Sequence, residues 1–254
     1  MPESPKNVFI TGASGGLGRG LALHYAKGGA TVHAAARRKD ELAKLAAEAP
    51  QGSIVPVRLD VQDVDALVNA IHSAEEAAGG ALDLVIANAG VGKTTSARKM
   101  DWSVVKWILD VNATAACVTI AAALPKMVER DAGQVVMMSS LAAFRGMPGN
   151  AAYCASKAAV ATFMESVRVD LQPTRVRATT IYPGFVKTPL TAKNKFPMPF
   201  LMELDRAVEV MTRGIARGAK TIAYPLPMVA FTRTLGAVPR GLYEPLAGRV
   251  WTRS

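Results

Sequence analysis

Apolar residues along this chain come in short unbroken runs rather than in alternation, and each run is followed by a longer stretch with helical spacing. Asn7 to Thr11 (NVFIT) leads through a glycine cluster into a helical pattern from Leu17 to Lys27, which Gly28 and Gly29 end, as glycine does at helix C-termini. The alternation repeats with a run at Thr31 to Ala35 and helical positions to Glu48, then Ile54 to Leu59 and Asp63 to Ala78. Leu82 to Ala87 precedes one long helix from about Asp101 to Val128, and Gln134 to Ser139 precedes a helix from about Ala151 to Leu171. Val176 to Tyr182 is stopped by Pro183-Gly184, and a helix from about Asp205 to Ala216 and a run at Thr221 to Tyr224 come last. Strands apolar on both faces need cover on both sides, so the pattern predicts a doubly wound α/β fold around a parallel sheet.

No repeat, low-complexity tract or Gly/Ser linker divides the chain, so residues 1–254 are expected to form a single domain. After Pro183 the pattern weakens into an apolar segment rich in Pro and Lys, expected to be a substrate lid at about 189–204. An apolar and basic extension follows at about 225–254.

Composition narrows the function classes. Half of the 254 residues are hydrophobic and 20% are charged, which suits a packed globular chain and excludes a disordered one. The net charge of +10 would suit nucleic acid, an anionic surface or a phosphate-bearing small molecule. The cations are scattered, without a basic run or an aromatic-interleaved stripe, which turns the reading away from nucleic acid. Two cysteines, Cys117 and Cys154, make no disulfide framework, and His24, His33 and His72 lack metal-ligand spacing, so no metal is expected. The N-terminus lacks the apolar core of a signal peptide and no window of about eighteen uninterrupted apolar residues occurs, so a cytoplasmic protein is expected.

The chemistry begins at TGASGGLGRG, residues 11–20, where glycines follow the first strand and open the first helix. Glycines there allow a tight turn and a close backbone approach to a pyrophosphate, and the helix N-terminus supplies free N–H groups. The spacing Gly12-x-x-x-Gly16-x-Gly18 departs from the more familiar Gly-x-Gly-x-x-Gly. At the end of the second strand Ala36 stands where an acid would accept from a ribose 2′-hydroxyl, and Arg37 and Arg38 follow. Guanidinium groups bind phosphate with a bidentate fork, so NADP(H) is favoured over NAD(H). Tyr153 and Lys157, four positions apart in YCASK, share a helical face, a spacing that also describes an ordinary surface pair. Ser140 lies thirteen positions earlier, at the end of a strand, and Asn112 sits in an otherwise apolar helical stretch, where an isolated Asn is more often a local hydrogen-bonded kink.

Taken together, TGASGGLG at 11–18, Asp60-Val61, Asn88-Ala89-Gly90, Asn112, Ser140, Tyr153-x-x-x-Lys157 and Pro183-Gly184 with Thr188 resemble the short-chain dehydrogenase/reductase family over most of the chain. The resemblance implies a Rossmann-type seven-stranded parallel sheet, a nicotinamide cofactor and a catalytic set of Asn112, Ser140, Tyr153 and Lys157. It implies that Gly12, Ser14, Gly16, Leu17 and Gly18 form the phosphate turn, with Arg37 and Arg38 toward the 2′-phosphate. Asp60 would then contact the adenine, Asn88 with Ala89 the ribose, and Val186 and Thr188 the carboxamide end, with Val61, Gly90, Tyr153, Lys157, Pro183 and Gly184 also at the cofactor. No basic residue precedes Gly16, where Gly15 stands, so the NADP(H) preference rests on Arg37 and Arg38.

The activity expected is interconversion of a carbonyl and a secondary alcohol, with Tyr153 as general acid and base, Lys157 favouring phenolate, Ser140 orienting the oxygen and Asn112 holding Lys157 and a water. Phe144, Met147, Phe196 and Phe200 suggest an apolar or aromatic substrate. An NAD(H)-dependent alcohol dehydrogenase and a non-catalytic NADP(H)-binding regulator are the rival readings. Family likeness favours a homo-oligomer, dimer or tetramer, over membrane-surface contact through the C-terminal extension with its Arg233, Arg240 and Arg249.

Overall fold

The computed structural model describes residues 4–193 and 197–251. In chain order the elements are β1 (Asn7–Thr11), α1 (Gly16–Lys27), β2 (Thr31–Ala36), α2 (Lys39–Glu48), β3 (Ile54–Arg58), α3 (Val64–Ala77) and β4 (Leu84–Ala87). Then come α4 (Trp102–Leu109), α5 (Ala115–Glu129), β5 (Gln134–Met138), α6 (Ala151–Asp170), β6 (Arg177–Pro183), α7 (Leu204–Ala216), β7 (Thr221–Tyr224), α8 (Leu226–Ala237) and α9 (Arg240–Trp251).

The strands form one seven-stranded parallel sheet in the order β3-β2-β1-β4-β5-β6-β7. Unbroken apolar runs make sense here because each central strand feeds two cores. Val8 and Ile10 point into one layer with α1 and α7, while Phe9 between them points into the other with α3, α5 and α6. The edge strand β3 departs from this: Val55 is exposed, and Pro56, which cannot donate to a ladder, is tolerated there. Chain order reverses at β1, which lies between β2 and β4, so the carboxyl ends of β1 and β4 open the crevice where sheets of this kind take ligands.

The single helix expected from about Asp101 to Val128 is interrupted by a π-turn at Asp110–Thr114. Inside it, the completely buried Asn112 amide bonds outward, accepting from the Val91 N–H (2.7 Å) and donating to the Val91 carbonyl (2.9 Å) and to Ser156 Oγ (3.2 Å). A π-turn inserts one residue into the helical ladder and re-aims a side chain, here across to α6. By length and composition alone the run Trp102–Glu129 could cross a membrane, with a mean hydropathy of 1.6, but its apolar face is used against the sheet and α3. Trp102, the first residue of α4, is 78% exposed.

Gly18 is where α1 meets the sheet. A Cβ there would run into the Gly12 carbonyl oxygen, in the turn between β1 and α1, and into the amide nitrogen of Asn88, which follows β4. Gly18→Ala is therefore expected to lower the unfolding free energy by about 1–3 kcal/mol. Gly241→Ala on α9, with open space around it, should be neutral or slightly stabilising. Urea denaturation of the two variants checks this, and equal midpoints would show that the α1 contact yields without strain.

Candidate active site

Three loops at the carboxyl ends of β1, β4 and β5 meet the N-termini of α1 and α6. Thr11 closes β1, and its hydroxyl accepts from the backbone N–H groups of Asn88 (3.0 Å) and Ala89 (3.1 Å). The Asn88 side chain donates back to the carbonyls of Thr11 (2.9 Å) and Gly12 (3.3 Å), stapling the end of β4 to the glycine turn. Gly12 (φ 70°) and Gly16 (φ 54°) occupy the left-handed region, and a Cβ on Gly12 would stand 2.8 Å from the Ala89 Cα. Gly15 caps α1 without a side chain, so the first N–H groups of the helix remain available to an anion in the cleft.

Arg38 lies across this turn. Its Nε donates to Ser14 Oγ (3.2 Å) and its Nη2 to the Ser14 carbonyl (2.9 Å), and a Gly15 Cβ would come within 2.9 Å of that Nη2. The cation missing from position 15 is thus delivered from the N-cap of α2. Arg37 is exposed, with its guanidinium 3.8 Å from the Asp60 carboxylate.

At the other end, Lys157 is buried on α6 and its Nζ donates to the Met138 carbonyl (2.8 Å) at the end of β5. Among the described residues it has no ion-pair partner, and burial lowers its pKa to about 8. Nζ stands 5.8 Å from the centroid of the Tyr153 ring. Burial pushes the Tyr153 phenol up from its ordinary value, and a hydrogen bond with Ser140 draws it partly back. Ser140 also accepts from the Ala142 N–H (3.1 Å), capping a 3-10 turn at Leu141–Ala143.

Asn112 departs from its expected place. Its amide clamps the Val91 backbone and reaches Ser156, whose hydroxyl donates to the Tyr153 carbonyl (2.7 Å). It thus fixes the Tyr153 turn of α6 through Ser156 and does not line the cleft.

A cleft of about 450 Å³ runs from Arg37 and Arg38 past the glycine turn to Ser140, Tyr153 and Lys157. Of the residues expected at the cofactor, Gly12, Ser14, Gly16, Leu17, Asp60, Val61, Asn88, Ala89, Gly90, Pro183, Gly184, Val186 and Thr188 also line it. Gly18 does not, because it is spent on packing α1. The substrate-pocket expectation needs correction. Phe144 stacks on Tyr182 (5.0 Å between centroids, 18° between planes) beneath α8, and Met147 and Phe200 lie off the cleft, with Phe200 58% exposed. Phe196 lies outside the described residues.

Val91, Pro189, Leu190 and Thr191 take those places, and Tyr153 and Leu190 both approach the open side of Gly92. Pro189, Leu190 and Thr191 open the segment expected as a substrate lid at about 189–204, whereas Val91 carried no expectation. Thr191, three positions after Thr188, carried a usable signal, since such a pair can bond locally: its hydroxyl donates to the carbonyl of Thr188 (3.0 Å) and also to that of Val186. A dinucleotide suits this donor set, with open helix N–H groups and guanidinium at one end and a phenol-ammonium pair at the other.

The sequence model described as short chain dehydrogenase matches residues 6–197. An uncharacterized oxidoreductase of Myxococcus xanthus is 51% identical over 249 residues, covering 97% of this chain and 98% of that protein. An uncharacterized oxidoreductase of Mycobacterium tuberculosis is 33% identical over 240 residues, covering 92% and 94%. Among solved structures, a Burkholderia phymatum short chain dehydrogenase/reductase in complex with NAD superposes with a TM-score of 0.82 at 24% identity, covering 92% of this chain and 94% of that one. A Burkholderia cenocepacia short chain dehydrogenase in complex with NADP superposes at 0.81 with 25% identity, covering 96% and 98%.

Proposed function

The chain belongs to the short chain dehydrogenase family, and from that premise we propose that it is an NADP(H)-dependent oxidoreductase interconverting a carbonyl and a secondary alcohol, with Tyr153 as acid and base. The observation that carries the reaction is the convergence of Ser140, Tyr153 and a buried Lys157 at one end of a cleft whose other end is a phosphate turn.

When bound, the nicotinamide supplies or accepts hydride. The chain's own residues handle the proton. As charge builds on the carbonyl oxygen, Tyr153 donates its phenolic proton to that oxygen, which Ser140 holds by a hydrogen bond. Lys157 then offsets the phenolate charge from within the low-dielectric wall, where an ammonium acts more strongly than at a surface. In the oxidative direction the same phenolate takes the alcohol proton. Val91, Leu190 and the Tyr153 ring make the substrate end largely apolar, which supports an apolar or aromatic substrate.

The cofactor preference is read from Ala36, Arg37 and Arg38. No carboxylate closes β2, and the cation that faces the cleft beside Gly15 is Arg38. The wild-type protein is expected to favour NADPH over NADH in kcat/KM by about tenfold to a hundredfold, the worth of one or two hydrogen bonds to a charged group. Arg37→Ser and Arg38→Ser combined with Ala36→Asp should reverse the order by removing both guanidinium groups and placing an acid at the ribose hydroxyl. Comparable use of both cofactors by the wild-type protein would sink the assignment.

A further inference from the structure

Among the described residues none of α8 or α9 lines the cleft, yet these helices grip the loop that joins its two catalytic hydroxyls. Ser140 and Tyr153 are connected by residues 141–152. The first turn of that loop is held by Ser140 and the last by the start of α6, where Cys154 N–H donates to Asn150 O (2.8 Å). The middle, Phe144 to Gly146, is gripped from α8 and α9. Tyr243 of α9 donates its hydroxyl to the Gly146 carbonyl (2.8 Å), and the Arg145 guanidinium lies over the Tyr243 ring at 4.1 Å. Arg145 Nη1 also donates to the Gly236 carbonyl (3.4 Å) at the end of α8. Gly236 has no room for a side chain, since a Cβ would lie 3.0 Å from the Phe144 carbonyl, and Arg233 one turn earlier reaches over the Phe144 ring at 5.6 Å.

Each contact alone is modest, whether a cation over an aromatic ring or a neutral hydrogen bond. Their placement is what matters. All four bear on three consecutive residues between the proton donor and the hydroxyl that orients the reacting oxygen. Among the described residues Arg145 has no acid partner and its buried Nη2 has no acceptor, so the arginine is an expensive way to fill space if packing were its whole role.

We propose that α8 and α9 form a strap that holds the Ser140–Tyr153 loop in register, with Arg145 and Tyr243 as positioning residues for carbonyl reduction. The proposal rests on the reaction assigned above, and the strap is also readable without it.

Tyr243→Ala, Tyr243→Phe and Arg145→Met, each saturated with NADPH, test the strap. Amide hydrogen exchange at residues 144–150 should rise about tenfold or more in Tyr243→Ala and Arg145→Met while β1 and β4 stay protected. On a reducible ketone, kcat should fall about tenfold to a hundredfold with the NADPH Kd within twofold, as expected when reacting groups drift by part of an ångström. Tyr243→Phe keeps the ring under Arg145 and should recover most of the loss. Unchanged exchange in the loop overturns the strap. So does a parallel loss of kcat, NADPH affinity and melting temperature, which would mark a general folding role. A wild-type protein that reduces no carbonyl would count against the assigned reaction, and the exchange data would still decide the strap.

Discussion

Tyr153→Phe is expected to lower kcat for carbonyl reduction by about 10²–10⁴-fold, the range that a positioned general acid supplies. The change removes one oxygen and keeps the ring. The contacts that hold this turn of α6 go through the Tyr153 carbonyl, which accepts from Ser156, so the helix should stay in place. The phosphate turn, with Arg38 over Ser14, lies at the other end of the cleft, so the NADPH Kd should change less than twofold. Because burial holds the phenol up, the group enters reduction protonated, and the wild-type rate should be flat through neutral pH and fall only in alkaline solution. Alcohol oxidation should rise with pH over that same alkaline range. Stopped-flow turnover alongside fluorescence titration of NADPH checks both halves. A variant retaining more than a tenth of wild-type activity would remove Tyr153 from the chemistry, and one that also lost NADPH would show that the ring holds the cofactor.

The order of strands and helices was legible because burial on both faces leaves an unbroken apolar run, which few other environments allow. The glycine turn was legible for a similar reason: two of its positions take a left-handed backbone that glycine adopts without strain. Asn112 illustrates where a linear reading stops. Its kink was anticipated, but the partners that explain it, Val91 and Ser156, are 21 and 44 positions away. Phe144 shows the converse. Its nearness to Ser140 in sequence suggested the pocket, while Tyr182 and α8, which set its direction, come later in the chain. The strap residues were invisible on these grounds: Arg145 reads as one more scattered cation until Tyr243 is brought over it.

Lys157→Met should separate function from stability. Activity is expected to fall about 10²–10³-fold, since the phenolate formed in the reaction loses its nearby positive charge. Stability should move differently. In the fold the lysine pKa is about 8, below its ordinary value of 10.5, because the ammonium is buried against Met138 O without an acid. Below pH 8 the lysine is protonated in both folded and unfolded chains, and the folded state carries the whole penalty of burying the charge, about 3 kcal/mol. Between pH 8 and 10.5 the unfolded chain keeps the proton that the fold has released, so the unfolded state binds more protons and this group's contribution to stability rises with pH. Methionine removes the penalty but leaves the Met138 carbonyl without its donor, at about 1–3 kcal/mol. At pH 7 the variant should therefore be as stable as the wild type or slightly more so, and the wild type should gain on it as the pH approaches 10. Urea unfolding of both proteins at pH 7 and pH 10 reads that difference directly, with titrations shared by the two proteins cancelling. A gap that stays constant between the two pH values would mean that Lys157 titrates no differently in the fold than in the unfolded chain, and its role beside Tyr153 would then have to rest on position alone.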